Sequence, residues 1–164
     1  AADLEGALSE VARHRPAADA LHERLAAEHG VLILGGSGPV FAQGIGGNRP
    51  VNRATLYGPA GVLGHQDKQI MTRFEREDWD VVPGTDGLTL FDTQAGRLGV
   101  AICYDSEFPL LSRALAEHGA EILLAPSCTE TEAGFHRVRI GAISRALEDQ
   151  CVAVHRHLPV TIDP

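Results

Sequence analysis

Cysteine and basic residues are scarce in this sequence of 164 residues. Its three cysteines are an odd number without a CxxC pair, so we expect neither a disulfide framework nor a zinc knot. The 14 basic residues against 22 acidic ones leave a net charge of -8. Because no Lys/Arg cluster is long enough to follow a phosphate backbone, we expect no nucleic-acid partner.

Long apolar runs are also absent. No segment has the roughly 18 consecutive apolar residues that a membrane-spanning helix needs. The first residues lack the basic and then apolar pattern of a signal peptide. We therefore expect no membrane partner and a cytoplasmic location. The composition, 44% hydrophobic and 22% charged, is typical of a globular protein, and the length predicts a single domain over residues 1–164.

The order of apolar runs and turn residues predicts an α/β fold. We expect a helix over residues 4–28 that Pro16 divides and Gly30 ends. Hairpins in the first half and alternating strands and helices in the second predict mixed sheets. Predicted strands cover residues 31–34, 53–57, 62–65, 88–92, 97–103, 122–125 and 151–154, and further helices cover 108–118 and 133–148. The strand 97–103 is apolar enough to be central.

Cys103 lies where this central strand is predicted to end, shortly before a helix, and ligands bind at such strand ends. A thiol with an ordinary pKa near 8.5 is only about a few per cent thiolate at neutral pH, so a nucleophilic role requires a nearby cation or base. Taken alone, Cys103 also fits a small buried apolar residue.

Lys68 lies in a polar segment whose charges are too irregular for an amphipathic helix, and alone it would be a solvated surface lysine. Together, the Lys68 and Cys103 blocks resemble the carbon-nitrogen hydrolase, or nitrilase, superfamily, in which a lysine follows a hairpin and a cysteine closes a strand. Further matches in the same order lie at residues 31–36, 52–54, 83–84, 119–126 and 145–150.

This resemblance implies a four-layer α-β-β-α sandwich of the nitrilase type, of which the chain forms a part. It also implies a homo-oligomer, commonly a dimer formed through the outer helices, with a Glu-Lys-Cys triad and no metal or organic cofactor. The sequence Cys103-Tyr104-Asp105 is similar to the amidase and carbamoylase branches. A small-molecule amide or carbamoyl substrate is therefore expected.

The resemblance also implies a role for each matching residue. Cys103 corresponds to the nucleophile that forms a thioester. Lys68 corresponds to the triad lysine, which favours the thiolate and, with the backbone N–H of Tyr104, holds the oxyanion. Glu75 resembles a supporting glutamate near that lysine, and Glu77 is the alternative.

Four residues are predicted to contact substrate: Tyr104, Glu107, Ser127 and Cys128. Tyr104 and Glu107 follow the nucleophile, and Ser127 and Cys128 follow a strand that ends beside the expected site. Glu107 could instead cap the following helix.

Two departures from the family pattern stand out. The general-base glutamate belongs to a Phe-Pro-Glu-type motif ahead of the first helix, and this motif does not occur in the sequence. Residues 155–159 also match nothing expected. We therefore expect a chain truncated at both ends, and a non-catalytic scaffold acting as an interaction module is an alternative function.

Two other functions compete with this interpretation. A metal-dependent hydrolase would use His155 and His157, which a strand places on one face, but no HExxH motif supplies partners. A nucleotide-binding module would use the Gly-rich stretch 35–47, which contains neither a P-loop motif nor a GxGxxG that opens a helix. We expect no metal.

Overall fold

The computed structural model describes residues 4–41 and 48–159 and divides into two compact units, Ala1–Gly87 and Leu88–Pro164. Each unit contains one sheet. The single domain over residues 1–164 stays a prediction. Residues 42–47 of the Gly-rich stretch considered for nucleotide binding lie outside the described residues.

The first unit consists of a long helix, a three-stranded antiparallel sheet in the order β1-β2-β3, and a short helix. Its elements are α1 (Leu4–His29), β1 (Ile33–Val40), β2 (Val51–Gly58), β3 (Gly61–Asp67) and α2 (Arg73–Glu77). The hairpin between β2 and β3 turns where Gly58 pairs with Gly61, and it is one of the hairpins predicted for the first half of the chain.

Helix α1 runs unbroken through Pro16, so the prediction that this proline divides the helix is wrong. An interior proline costs a helix about 3 kcal/mol. Contacts beside Pro16 oppose that cost, because Arg15 donates to Asp19 Oδ1 at 2.6 Å and to Thr55 Oγ1 on β2 at 2.5 Å. The helix ends as predicted before Gly30, whose φ of 65° is the left-handed conformation that favours glycine.

The second unit contains a four-stranded sheet in the order β4-β5-β6-β7. Strands β5, β6 and β7 are parallel, and β4 pairs with β5 antiparallel. The predicted α/β fold with mixed pairing and a central β5 is confirmed. The elements are β4 (Leu90–Thr93), β5 (Gly96–Val100), a 3₁₀ helix (Cys103–Glu107), α3 (Pro109–Glu117), β6 (Ile122–Thr129), α4 (Glu132–Asp149) and β7 (Val152–Pro159).

Four predicted strand ends lie three or more residues from the observed ones. Strand β1 continues to Val40 and β6 to Thr129, beyond the predicted ends at 34 and 125, so residues 35–40 of the Gly-rich stretch lie in a strand. Strand β5 ends at Val100, so Cys103 begins a 3₁₀ helix and does not close the strand. The ladder continues for one more bond, from Ala101 N to Leu124 O at 2.9 Å, before the chain turns. At the other end, β7 continues to Pro159, so the unmatched residues 155–159 are a strand paired with β6.

A small apolar core supports the end of β5. Ala101, Leu115 of α3 and Leu123 of β6 are buried together. A Cβ at Gly99 would lie 3.0 Å from Leu115 Cδ1, so glycine lets α3 approach the strand closely. Full burial of one leucine contributes about 1.5 to 3 kcal/mol, so this core holds the segment that leads into Cys103.

Helix α4 exposes large aliphatic side chains at Ile140, Ile143 and Leu147. Spacings of three and four residues place them along one side of the helix. This exposed side is compatible with the homo-oligomer expected from the family resemblance, which stays a prediction. None of the helices in residues 4–41 and 48–159 is long and apolar enough to cross a membrane.

Candidate active site

Lys68, the one lysine in the sequence, directly follows β3 and is only 2% exposed. Its backbone is held on both sides. Lys68 N donates to Asn52 O at 2.9 Å, and Gly84 N donates to Lys68 O at 3.0 Å. A buried ammonium group requires an anionic partner. Lys68 is therefore unlike the solvated surface lysine that its local sequence suggests.

Glu75 is that partner. Lys68 Nζ donates to Glu75 Oε1 at 2.8 Å and to Oε2 at 2.6 Å. Asn52 Nδ2 donates to Oε1 at 3.0 Å, and the backbone N–H and hydroxyl of Thr72 each donate to Oε2 at 2.8 Å. Thr72 and Glu75 form a capping box at the start of α2. The pattern Thr-x-x-Glu was therefore a sequence signal for this position of Glu75.

Charge and burial shift the pKa of Glu75 in opposite directions. Burial raises the pKa of its carboxyl, but the Lys68 ammonium and the hydrogen bonds from Lys68, Thr72 and Asn52 outweigh burial, so the pKa lies below its ordinary value. Glu75 therefore stays a carboxylate at neutral pH. The alternative, Glu77, pairs with Arg73 at the surface, so the structure brings Glu75 and not Glu77 to Lys68.

Cys103 occupies an unusual backbone conformation at the first position of the 3₁₀ helix. Its φ is 50°, in the left-handed region that costs a non-glycine residue about 1 to 3 kcal/mol. The fully buried Ser106 donates from Oγ to Cys103 O at 2.7 Å. Hydrolases often carry their nucleophile on such a strained turn between a strand and a helix, because the turn exposes the reactive atom.

Arg137 of α4 contacts two residues that follow Cys103, namely Tyr104 and Glu107. Its Nε donates to Glu107 Oε1 at 2.8 Å, and its Cζ lies 5.8 Å from the centre of the Tyr104 ring. The bond to Glu107 is the main reason that the pKa of Arg137 is raised, and the charge of Cys103 contributes. Sequence reasoning missed Arg137, because no local pattern marks it as a partner of Glu107.

Glu107 and Tyr104 are thus brought together around Arg137, and the alternative role of Glu107 as a helix cap receives no support. The N-cap residue of α3 is Phe108, which makes no side-chain capping bond. The ring of Tyr104 packs edge-on against Phe108, with ring centres 4.9 Å apart.

Ser127 and Cys128 do not share a face of the sheet, because they are neighbours in β6 and side chains alternate along a strand. Ser127 is buried, and its Oγ lies 2.7 Å from His155 Nε2. Cys128 is exposed, and partial burial of its thiol, with the charge of Glu130, raises the pKa of Cys128. A raised pKa makes a second nucleophile at Cys128 unfavourable.

The histidine pair considered as metal ligands contacts hydroxyl groups. His155 Nε2 lies 2.7 Å from Ser127 Oγ, and His157 Nε2 lies 2.7 Å from Thr129 Oγ1. Among the residues that the structure describes, no group of three potential ligands includes either histidine.

One such group lies in the first unit, where His65, Asp67 and Asp86 have ligand atoms within 4.8 Å of one another. Asp67, its buried member, accepts two hydrogen bonds from Arg53, at 2.6 and 2.8 Å. The carboxylate of Asp67 is therefore already bound by a guanidinium group. These three residues give no support for a metal site.

The lowered pKa of Glu75 predicts a pH-dependent contribution to stability. The charged carboxylate stabilises the folded state above its unfolded pKa, near 4.5, and this contribution is lost as the pH falls through the lower folded pKa. In Glu75→Gln, we expect the free energy of unfolding to depend less on pH below about 5 than in the wild type. At neutral pH, the loss of a buried partner should cost about 3 kcal/mol.

Urea unfolding at a series of pH values measures both effects. Glu77→Gln is the matched control, because the same change at the surface should leave the stability at neutral pH close to wild type. Equal pH dependence in Glu75→Gln and the wild type would contradict the role given to the Lys68–Glu75 pair.

Known proteins resemble the chain in sequence. The family model for carbon-nitrogen hydrolases matches residues 10–156. A probable hydrolase of Bacillus subtilis (strain 168), YhcX, is 39% identical over 130 residues, which are 79% of this chain and 24% of that protein.

Solved structures share the fold. Saccharomyces cerevisiae Nit3, a member of branch 10 of the nitrilase superfamily, has a TM-score of 0.75 and 25% identity over 86% of this chain and 50% of its own. A mutant of the amidase from Nesterenkonia sp. AN1, solved after Michael addition of acrylamide at the active-site cysteine, has a TM-score of 0.73 and 25% identity over 89% of this chain and 56% of its own.

The chain thus spans a quarter of YhcX and about half of these solved structures. The structural similarity confirms the predicted nitrilase-type α/β fold. Because the family model covers most of the sequence, the chain belongs to the carbon-nitrogen hydrolase family, within the nitrilase superfamily.

Proposed function

We propose that this chain contributes to a hydrolase that cleaves the C–N bond of a small-molecule amide or carbamoyl compound, with Cys103 as its nucleophile. The observation that carries the proposal is the strained φ of Cys103, 50°, at a turn between a strand and a helix. The similar Nesterenkonia amidase has an active-site cysteine that adds to acrylamide. That chemistry supports a nucleophilic thiol at Cys103.

The proposed reaction has two halves. The sulfur of Cys103 attacks the carbonyl carbon, and the tetrahedral intermediate collapses by breaking the C–N bond, so that the amine leaves with the proton of the thiol. Water then attacks the resulting thioester, the C–S bond breaks, and the thiol is regenerated as the acid leaves. Covalent catalysis of this kind replaces one difficult step by two easier ones.

Lys68 supplies the positive charge in this proposal. Glu75 holds its ammonium group through both carboxylate oxygens, at 2.8 and 2.6 Å, in a buried site. In the mechanism that the family resemblance implies, such an ammonium favours the thiolate and, with the backbone N–H of Tyr104, stabilises the oxyanion. One such donor lowers the activation free energy by on the order of 3 kcal/mol. Glu75 then acts on catalysis by positioning Lys68.

The general base is proposed to lie outside residues 1–164. It is the glutamate of a Phe-Pro-Glu-type motif, whereas the one Phe-Pro pair of this sequence, Phe108-Pro109, is followed by leucine. The first candidates within the chain to replace it, Glu75 and Glu107, are already paired. Glu75 binds Lys68 and Glu107 binds Arg137, which makes either a poor acceptor of the thiol proton.

A non-catalytic scaffold that binds other proteins is the second candidate function. The exposed side of α4 formed by Ile140, Ile143 and Leu147 favours it, because such a row of side chains suits a protein contact. The same side would serve the proposed homo-oligomer. Loss of turnover in the nucleophile variant below separates the two functions.

The first prediction of this mechanism concerns the nucleophile. In the full-length protein, Cys103→Ala should abolish turnover of small amides, measured as ammonia release, because no sulfur remains to form the thioester. Mass spectrometry after brief exposure to substrate should place the acyl adduct on the peptide that contains Cys103. The control is Cys151→Ala, which removes a partly buried thiol whose pKa is raised by burial and should keep most of the activity. Turnover by Cys103→Ala would remove the basis of the proposal.

The second prediction concerns the cation. Lys68→Met retains much of the side-chain length but no charge, and it should lower the rate at least about a hundredfold, the size expected for the loss of one oxyanion donor. Rates are compared per folded molecule, with the folded fraction measured by circular dichroism. A near-normal rate would contradict a catalytic role for Lys68 and leave it only a structural role as the partner of Glu75.

The third prediction concerns the base. Residues 1–164 alone should turn over amides about 10² to 10⁴ times more slowly than a longer protein that carries an upstream Phe-Pro-Glu-type motif, which is the range that general-base catalysis supplies. Ammonia release from a panel of small amides measures both. Equal rates would mean that a residue of this chain is the base, and Glu107 and Glu75 would be the first to mutate.

A further inference from the structure

One face of α4 lies against the turn that carries Cys103. Arg137, Gly141 and Arg145 follow one another at intervals of four residues, so they line the same face of the helix. Each of them contacts Ser106 or Glu107 of the 3₁₀ helix. We propose that this face of α4 positions the nucleophile and that Gly141 is its central positioning residue. The inference rests on the proposed role of Cys103.

Gly141 lies close to the backbone of the turn. A Cβ at this position would lie 3.1 Å from Ser106 O and 3.4 Å from Glu107 Cα. Both are backbone atoms, which cannot rotate away as the end of a flexible side chain can. A larger residue at this position would therefore force α4 or the turn to move by a few tenths of an ångström.

The contact reaches Cys103 through one residue. Arg145, which is 4% exposed, donates from Nη1 to Ser106 O at 3.4 Å. Ser106 in turn donates from Oγ to Cys103 O at 2.7 Å. A displacement of Ser106 is thereby transmitted to the backbone of Cys103. Farther along the same face, the ion pair of Arg137 with Glu107 holds the other end of the 3₁₀ helix.

The packing of α4 bears on the backbone conformation of Cys103. A non-glycine residue keeps a left-handed backbone only where its surroundings enforce that conformation, and the φ of Cys103 is 50°. The direction of its thiol and of the following N–H depends on that angle. The packing of α4 against Ser106 and Glu107 is therefore in a position to set the geometry of both groups.

Gly141→Ala in the full-length protein tests the inference. The added methyl group should displace the turn by a few tenths of an ångström. Because a 1 Å misplacement can cost about a hundredfold in rate, we expect kcat to fall about tenfold. KM and the urea midpoint should change little, since alanine is the better helix former. The matched control is Gly38→Ala, where no atom of the described residues, apart from the two chain neighbours, lies within 4 Å of the added Cβ.

A second readout does not depend on turnover. The rate at which iodoacetamide alkylates Cys103, followed by mass spectrometry across a pH series, reports the accessibility and ionisation of the thiol. It should change in Gly141→Ala and not in Gly38→Ala. A folded Gly141→Ala with wild-type kcat and alkylation profile overturns the inference. The proposed function would survive that result, because Cys103→Ala tests it separately.

Arg145 provides an independent variant should Gly141→Ala fail to fold. Arg145→Met removes the donor to Ser106 O and should lower kcat and alter the alkylation profile of Cys103. Arg145→Lys keeps a positive charge and a donor and should restore part of both. Wild-type values for Arg145→Met would overturn the inference as well.

Discussion

The buried ion pair of Lys68 with Glu75 is the constraint on which the first unit depends. Removing either partner of such a pair leaves an uncompensated charge, which costs about 3 to 5 kcal/mol. The surrounding chain is built accordingly, since Asn52 from β2 and Thr72 from the start of α2 both donate to Glu75. The polar stretch after β3, which looks irregular in sequence, is thus organised around one ammonium group.

In the second unit, packing holds the unusual backbone conformation of Cys103. Cys103 requires a backbone angle that few residues adopt, and the neighbouring Ser106 and helix α4 surround the turn that contains it. The two units therefore secure their chemical groups in different ways, one by electrostatics and hydrogen bonds and the other by close contact of a helix with a turn. In the proposed function, both would fix a reactive group before substrate arrives.

The sequence patterns predicted the order of the strands and of the longer helices, but not the short helix α2, and the predictions failed where long-range contacts decide. Pro16 lies inside a continuous helix because Arg15, the residue before it, is anchored to Thr55 of β2. Strand β7 extends to Pro159 because β6 offers it a parallel partner along that length. Neither contact is visible in a local pattern.

The sequence by itself determined the family, the turn positions and the capping pattern that leads to Glu75, because these follow from residues that are neighbours in the chain. Only the tertiary structure decided which charges pair in the interior and which helix packs against the turn that carries Cys103. Arg137, Gly141 and Arg145 carry no motif of their own. Their importance arises from the packing of α4 against the 3₁₀ helix, which brings residues distant in the chain to within contact of Ser106 and Glu107.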